Sequence, residues 1–195
     1  MHIMTAAQIY ERDPEDVTKQ MRRAAKTINF GVLYGQGPHA LSQSTGMDFK
    51  SSKNFIDRFF EIRPKLKEFI KNTREQADKQ GYVETLLGRR RPTPDVKSSN
   101  FAVREAAYRA AVNLPIQGTA ADIMKLAMIK VDQALKENYE DCEILLQIHD
   151  SLLVECPEAK EEEVSKTIQQ TMEEAYKLPV EIAVEVDSGK NWGEM

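Results

Sequence analysis

The stretch RRAAKTINFGVLYG, residues 22–35, sets Arg22, Lys26, Phe30 and Tyr34 four residues apart. On a helix each such step turns about 400°, so the four side chains follow one slowly drifting ridge, roughly 40° between neighbours. Two cations followed by two flat rings suit a ligand with phosphates at one end and an aromatic base at the other. A second group lies far downstream in QIHDSLLVE, where His149, Asp150 and Ser151 interrupt an apolar run. Asp and Ser favour turns because their side chains bond nearby backbone, which gives the triplet a structural explanation. The chemical explanation is that Asp150 offers a hard oxygen to Mg²⁺ from rigid strand ends. One carboxylate is a poor site for that ion, and two-metal phosphoryl chemistry uses carboxylates bridging ions about 3.5–4 Å apart. Glu155 cannot join Asp150 on an extended strand, since five residues put it roughly 16 Å away.

The elements that must hold these groups are legible in outline. The first ridge belongs to a helix predicted to open with Asp13 as N-cap, Pro14 at its first position and acids in its first turn. It ends at Gly35, and GQGP is a turn. Apolar residues at 55, 56, 59, 60, 62, 66, 69 and 70 have helical spacing interrupted near Pro64, and the aromatic ones are expected in the core. YVETLLGRRRPTPD reads as a short extended pair ending in a basic turn. NFAVREAAYRAAVN and QGTAADIMKLAMIKVDQALKENY read as two helices broken at NLPIQG, because Pro115 cannot donate to a helical ladder. EILLQIHDSLLVEC is predicted as two strands around His149, Asp150 and Ser151, followed by a charged helix from about Glu158 to Tyr176. The alternation of VEIAVEV predicts a third strand in the same small antiparallel sheet. The fold class is α+β, mainly helical, with helices packed on that sheet.

Composition narrows the partners. The 195 residues suffice for one domain or two small lobes, and no repeat, low-complexity tract or Gly/Ser linker divides them. No apolar run approaches the ~20 residues of a membrane span, and MHIMTAAQIY lacks the regions of a signal peptide, so the expectation is a cytoplasmic protein with no membrane partner. Cys142 and Cys156 lack the spacing of a metal knuckle or redox pair and are expected as buried reduced thiols. The net charge of −4 hides an asymmetry. Residues 1–111 hold 20 Lys and Arg against 13 Asp and Glu, whereas residues 112–195 hold 7 against 18. Solvated helix faces would account for such runs, and so would a protein that holds a polyanion with one half and cations with the other.

Four ordered stretches carry a resemblance. RRAAKTINFGVLYG resembles the O-helix motif of family A DNA polymerases, the DNA polymerase I type, with the pattern R-x3-K-x3-F-x3-Y-G. QIHDSLLVE resembles the palm hairpin of that family, and ETLLGRRR and RAAVNLPIQGTAADIMKLAM match between them in the right order. The closing VDSGKNWGEM is similar to a family C-terminus. The resemblance implies part of a right-hand polymerase: fingers over 1–111 and the C-terminal part of the palm over 112–195.

It implies roles residue by residue. Arg22, Lys26 and His2 would meet the triphosphate of an incoming deoxynucleotide, with Lys26 also placed to stabilise or protonate the leaving pyrophosphate. Phe30 would pack on the sugar and base, and Tyr34 would stack at the insertion site on the template side. Arg109, Asn113 and Gln117 would lie along the primer–template minor groove, His149 near the primer terminus, and Asp150 would be a catalytic metal ligand. Phe30, where some relatives carry Tyr, implies rejection of dideoxynucleotides. Ser151 stands where most relatives have Glu, which implies an altered rate rather than a different reaction. The other essential aspartate of the family lies just upstream of the stretch matching HIMTAA, so the two-ion Mg²⁺ site would take that aspartate from outside residues 1–195. The implied partners are primer–template DNA, dNTPs and an upstream palm and thumb polypeptide, in a cytoplasmic, nucleoid-associated setting. The alternatives are one piece of a split polymerase and a non-catalytic nucleotide- or DNA-binding module.

Overall fold

A computed structural model describes residues 2–194. Contacts group into two compact units, Met1–Val83 with Arg90–Leu114, and Glu84–Arg89 with Pro115–Met195. The architecture is α+β, with helices predominating over two small antiparallel pairs of strands.

In the first unit, α1 (His2–Tyr10) precedes a short 3-10 turn over Pro14–Asp16 and then α2 (Lys19–Leu33). The expected Asp13 start is corrected: Asp13 makes no side-chain cap, Val17 is extended, and Thr18 caps α2 by accepting from the Met21 N–H at 3.2 Å. Ala25, Ile28, Asn29 and Val32 form the buried stripe of α2. That i, i+3, i+4, i+7 pattern leaves Arg22, Lys26 and Phe30 exposed on the flank of the helix.

α3 (Pro38–Thr45) and α4 (Phe49–Glu61) follow, and α5 (Pro64–Gln80) starts at the expected proline. Ile28, Val32, Leu41 and Phe59 make one core, with Phe55, Ile56, Phe60 and Leu66 packed on it, as the aromatic spacing predicts. The extended pair is also present, as β1 (Tyr82–Glu84) against β2 (Arg90–Pro92). A second core joins Ala77, Val83, Val96, Tyr108 and Ala111. Around it Arg74 lies over the Tyr108 ring at 4.0 Å and donates to Glu105 at 2.8 and 3.3 Å.

The expected break at NLPIQG is corrected to one helix, α6 (Phe101–Asn138), with Pro115 inside it. An interior proline removes one ladder bond and costs about 3 kcal/mol. The helix continues because each side of the proline is anchored by its own core, Tyr108 and Ala111 before it and Val131 and Leu135 after it. Thr119 reinforces the proline turn by donating its hydroxyl to the Pro115 carbonyl while accepting from the Leu86 N–H at 2.9 Å.

The second unit builds on the C-terminal part of α6. β3 (Glu143–Ile148) pairs antiparallel with β4 (Ser151–Glu155), and α7 (Glu161–Glu173) follows. Ile144, Leu152 and Val154 pack with Val131, Leu135, Tyr139 and Val164. The register shifts between Ile144 and Leu146, and the residues from Leu145 to Ser151 are all exposed. The irregularity therefore marks where β3 leaves the core, while Leu152 of β4 stays packed on it.

The expected third strand is corrected: among the described residues β3 and β4 form a two-stranded sheet, and residues 180–186 are unpaired coil. Val184 instead donates its N–H to Glu173 at 3.1 Å, and its carbonyl accepts from Gln169 at 2.8 Å. Ile182 and Val184 are half-buried between exposed neighbours. Alternation thus reports which side chains face inward, and side chains of α7 satisfy the backbone.

One polar anchor in this unit has a measurable consequence. Asp122, 4% exposed, accepts from Arg89 Nε at 2.6 Å and Thr85 Oγ1 at 2.7 Å, pinning the turn at Thr85–Arg89 to α6. Burial pushes its carboxyl up, but the bonds from Arg89 and Thr85 and the charges of Arg89 and Lys125 outweigh burial and hold it below its ordinary value. A folded pKa below the unfolded one stabilises fully above the unfolded value, about 4, and that stabilisation is lost as pH falls through the folded pKa. The urea midpoint of the wild type should therefore drop on acidification below about pH 4, and drop less steeply in Asp122→Asn. Parallel profiles would remove Asp122 from the acid sensitivity.

Candidate nucleotide and DNA site

The ridge on α2 is solvent-facing and chemically unsatisfied. Among the described residues no ion pair or hydrogen bond engages the side-chain heads of Arg22 or Lys26, both exposed. Phe30 leaves 42% of its surface in water. A buried Phe contributes about 1.5–3 kcal/mol, and this ring forgoes a large part of that. Tyr34, at the C-cap of α2, stacks on Phe30 with centroids 6.3 Å apart and planes 13° from parallel. Cations and rings therefore form one continuous flank, which the sequence spacing predicts.

His2 joins the ridge through contacts the sequence does not announce. Its ring lies 5.9 Å from that of Phe30. Asn29, 3% exposed, donates from Nδ2 to His2 Nδ1 at 2.9 Å and to Thr5 Oγ1 at 3.0 Å. An amide nitrogen can only donate, so His2 Nδ1 accepts and the ring proton sits on Nε2, where it can donate outward. Burial lowers the pKa of His2, and the charges of Lys26 and Arg22 lower it further. Asn29 and Thr5 escaped the sequence reading, although a polar residue within the apolar stripe 25, 28, 29, 32 was a signal of a buried polar bond. Asn29→Asp should reverse the arrangement, because a buried carboxylate stabilises imidazolium: the His2 midpoint, followed by NMR, should move from below to above about 6.5. An unmoved midpoint would show that Asn29 does not set the protonation of His2.

Close approach of backbone shapes the end of the ridge. Gly35 has φ +88, and a Cβ there would stand 3.1 Å from Arg109 Cγ, so Arg109 reaches the turn after Tyr34. A Cβ on Gly31 would collide with Gln36 Oε1, because the Gln36 side chain folds over the bare helix at that point. Asn113 lies one turn beyond Arg109 on α6 and keeps its Oδ1 buried with no hydrogen-bond partner. Such an acceptor costs about 1–3 kcal/mol until a donor reaches it. Gln117 follows Pro115, exposed, in the second unit.

The second unit places His149 and Asp150 as the exposed two-residue turn between β3 and β4, closed by Ile148 opposite Ser151. His149 has φ 55, a left-handed backbone that costs a non-glycine residue roughly 1–2 kcal/mol. Gln147 supports the turn by donating Nε2 to the His149 carbonyl at 2.6 Å. Among the described residues no group of three or more His, Cys, Asp or Glu side chains could hold a metal ion. Asp150 thus presents one carboxylate at an exposed turn, which is not a metal site by itself.

The motif order, the ridge and the two units meet a match that spans them all. The model of DNA polymerase family A matches residues 1–194. The chain belongs to that family. Among family A relatives it is 49% identical to "DNA polymerase I, thermostable" of Thermus filiformis over 98% of this chain and 23% of that protein. It is 45% identical to DNA polymerase I of Caldicellulosiruptor bescii over 100% of this chain, again 23% of the relative. The chain therefore spans about a quarter of the length of these curated relatives. A solved structure described as the POL domain of Pol1 from M. smegmatis in complex with DNA primer-template and dNTP aligns with a TM-score of 0.84 and 39% identity. It covers 92% of this chain and 32% of that one.

Proposed function

We propose that this chain supplies the dNTP-binding fingers, 1–111, and the C-terminal part of the palm, 112–195, of a DNA-directed DNA polymerase that extends a primer 3′ end in replication or repair. The observation that carries the reading is the ridge. Exposed Arg22 and Lys26, braced His2 and stacked Phe30 and Tyr34 present cations and rings in the order of a nucleoside triphosphate.

Arg22 and His2 bind the phosphates. Lys26 stabilises the charge that develops as pyrophosphate leaves and is placed to give it a proton, which acts on the transition state more than on the ground state. Phe30 packs on the sugar and base, and Tyr34 stacks on the template side. Arg109, Asn113 and Gln117 contact the minor groove of primer–template DNA, and His149 holds the primer end. Mg²⁺, when bound, would activate the primer hydroxyl and neutralise charge on the phosphates. Asp150 alone does not hold it, so the site calls for a second carboxylate from an upstream palm and thumb polypeptide. Ser151 beside Asp150 is expected to alter the rate rather than the reaction.

Primer extension tests this. The chain alone should bind dNTPs weakly and extend little, because a single carboxylate leaves the reactants poorly aligned. Adding a polypeptide that carries an upstream family A palm and thumb should restore extension, and Asp150→Ala should abolish it. Robust Mg²⁺-dependent extension by the chain alone, lost in Asp150→Ala, would overturn the need for a partner. A second reading, a non-catalytic binding module, draws on the single metal-binding carboxylate; it expects dNTP and DNA binding with no extension in either format.

A further inference from the structure

The hairpin that carries His149 and Asp150 ends, at its other extremity, in two thiols. Glu143 pairs with Glu155 and Ile144 with Val154. Carrying that register one residue outward sets Cys142 opposite Cys156. Residues opposed across antiparallel strands have Cα atoms about 4.5–5.5 Å apart, inside the roughly 4.4–6.8 Å window of a disulfide. Both cysteines face the same core, Cys142 as a buried member and Cys156 packed against it, with Ile144 and Val154 on the same side. Both are free thiols, Cys142 buried and Cys156 partly exposed. The spacing in sequence gives no sign of this pairing, which only the strand register creates.

We propose that Cys142 and Cys156 form a cross-strand dithiol that a small organic disulfide oxidises to an intramolecular disulfide, clamping the base of the β3–β4 hairpin. The more accessible Cys156 reacts first: its thiolate attacks one sulfur of the small disulfide, the sulfur–sulfur bond of that molecule breaks, and one small thiolate leaves and takes up a proton. The Cys142 thiolate then attacks Cys156 Sγ, the mixed disulfide breaks, and the second small thiol leaves. Two protein thiols and one small disulfide thus give one protein disulfide and two small thiols. Burial raises the pKa of both cysteines, with the acids Asp141 and, at Cys156, Glu161 adding to it; Lys160, paired with Asp141 at 2.7 Å, opposes the rise at Cys142. Exchange is therefore slow near neutrality and faster in mild alkali, where more thiolate is present. The chemistry stands whether or not the chain acts on nucleotides.

The full chain, first reduced, is incubated with oxidised glutathione at mildly alkaline pH. Free thiols are then counted under denaturing conditions, and intact mass is measured after alkylation. Both thiols should disappear in a monomer that carries no glutathione and resists alkylation, and a dithiol reductant should restore both. Cys142→Ser should instead retain one glutathione, on Cys156, because the resolving thiol is gone. Hydrogen exchange across Glu143–Glu155 should slow on oxidation and recover on reduction. Two thiols left free, glutathione retained on the wild type, or disulfides formed only between chains would overturn the proposed bond. Unchanged exchange in the oxidised monomer would overturn the clamp.

Discussion

Replacing Phe30 by Tyr should raise incorporation of dideoxynucleotides steeply while leaving ordinary extension within a few-fold. The ring at 30 lies on the exposed flank of α2 between the cations and Tyr34, stacked on the latter. In the proposed complex it meets the sugar and offers no oxygen of its own. A substrate 3′-hydroxyl then supplies a polar interaction that a dideoxynucleotide cannot, and a phenolic oxygen at this point replaces it within the protein. Discrimination that rests on one hydroxyl can reach roughly 10⁴-fold where the site is built around it, so a change of about two orders of magnitude or more in the dideoxy-to-deoxy ratio is expected. The measurement is that ratio for wild type and variant in the reconstituted polymerase. If the ridge were only a packing face, the substitution would act through stability, and an unchanged ratio in a well-folded variant would sink the assignment of Phe30 to the sugar.

Lys26→Ala should act differently, depressing incorporation of every nucleotide without altering sugar preference. The ammonium is exposed and pairs with no acid among the described residues, so its removal leaves no orphaned partner and costs little stability. In the proposed complex its loss from the leaving phosphates removes a donor aimed at developing charge. Such a donor contributes about 2.7–4 kcal/mol, or roughly 10²–10³ in rate. Single-turnover incorporation across the four dNTPs checks this, with thermal melting as the control. A loss confined to one base, or one tracking the melting temperature, would place Lys26 outside the phosphate site.

Local signals carried much of this molecule. The stripe 25, 28, 29, 32 put the ridge outward, Pro64 divided α4 from α5, and the apolar run around His149 and Asp150 became the β3–β4 hairpin. Local rules failed where distant packing outvoted them. Pro115 ordinarily ends a helix, yet cores on either side hold α6 through it. The alternation of residues 180–186 recorded inward-facing side chains, but Gln169 and Glu173 took the backbone bonds of Val184 that a neighbouring strand would have taken. α3 passed unnoticed because eight residues after a turn carry little periodicity. At the site, spacing displayed the residues that face solvent. It could not display Asn29 behind His2, or Asp122 behind Arg89, because those bonds join residues 27 and 33 positions apart.

Gly31 leaves the ridge one position without side-chain support. Glycine inside a helix costs about 1 kcal/mol relative to alanine, and here the Gln36 side chain occupies the space a methyl group would need. The weakness is therefore built into the last turn of α2, between Phe30 and Tyr34. Local opening in proteins begins where backbone bonds are least reinforced, but Val32, 1% exposed, ties this turn to the core it shares with Ile28, Leu41 and Phe59, so the freedom that remains belongs to the rings of Phe30 and Tyr34, which that core does not hold. The two rings flank the bare position, and Lys26 rides on the segment that Ala25, Ile28 and Asn29 bury. A ligand gripped first by its phosphates would then meet rings still free to settle, and the fit of the base would be tested after capture.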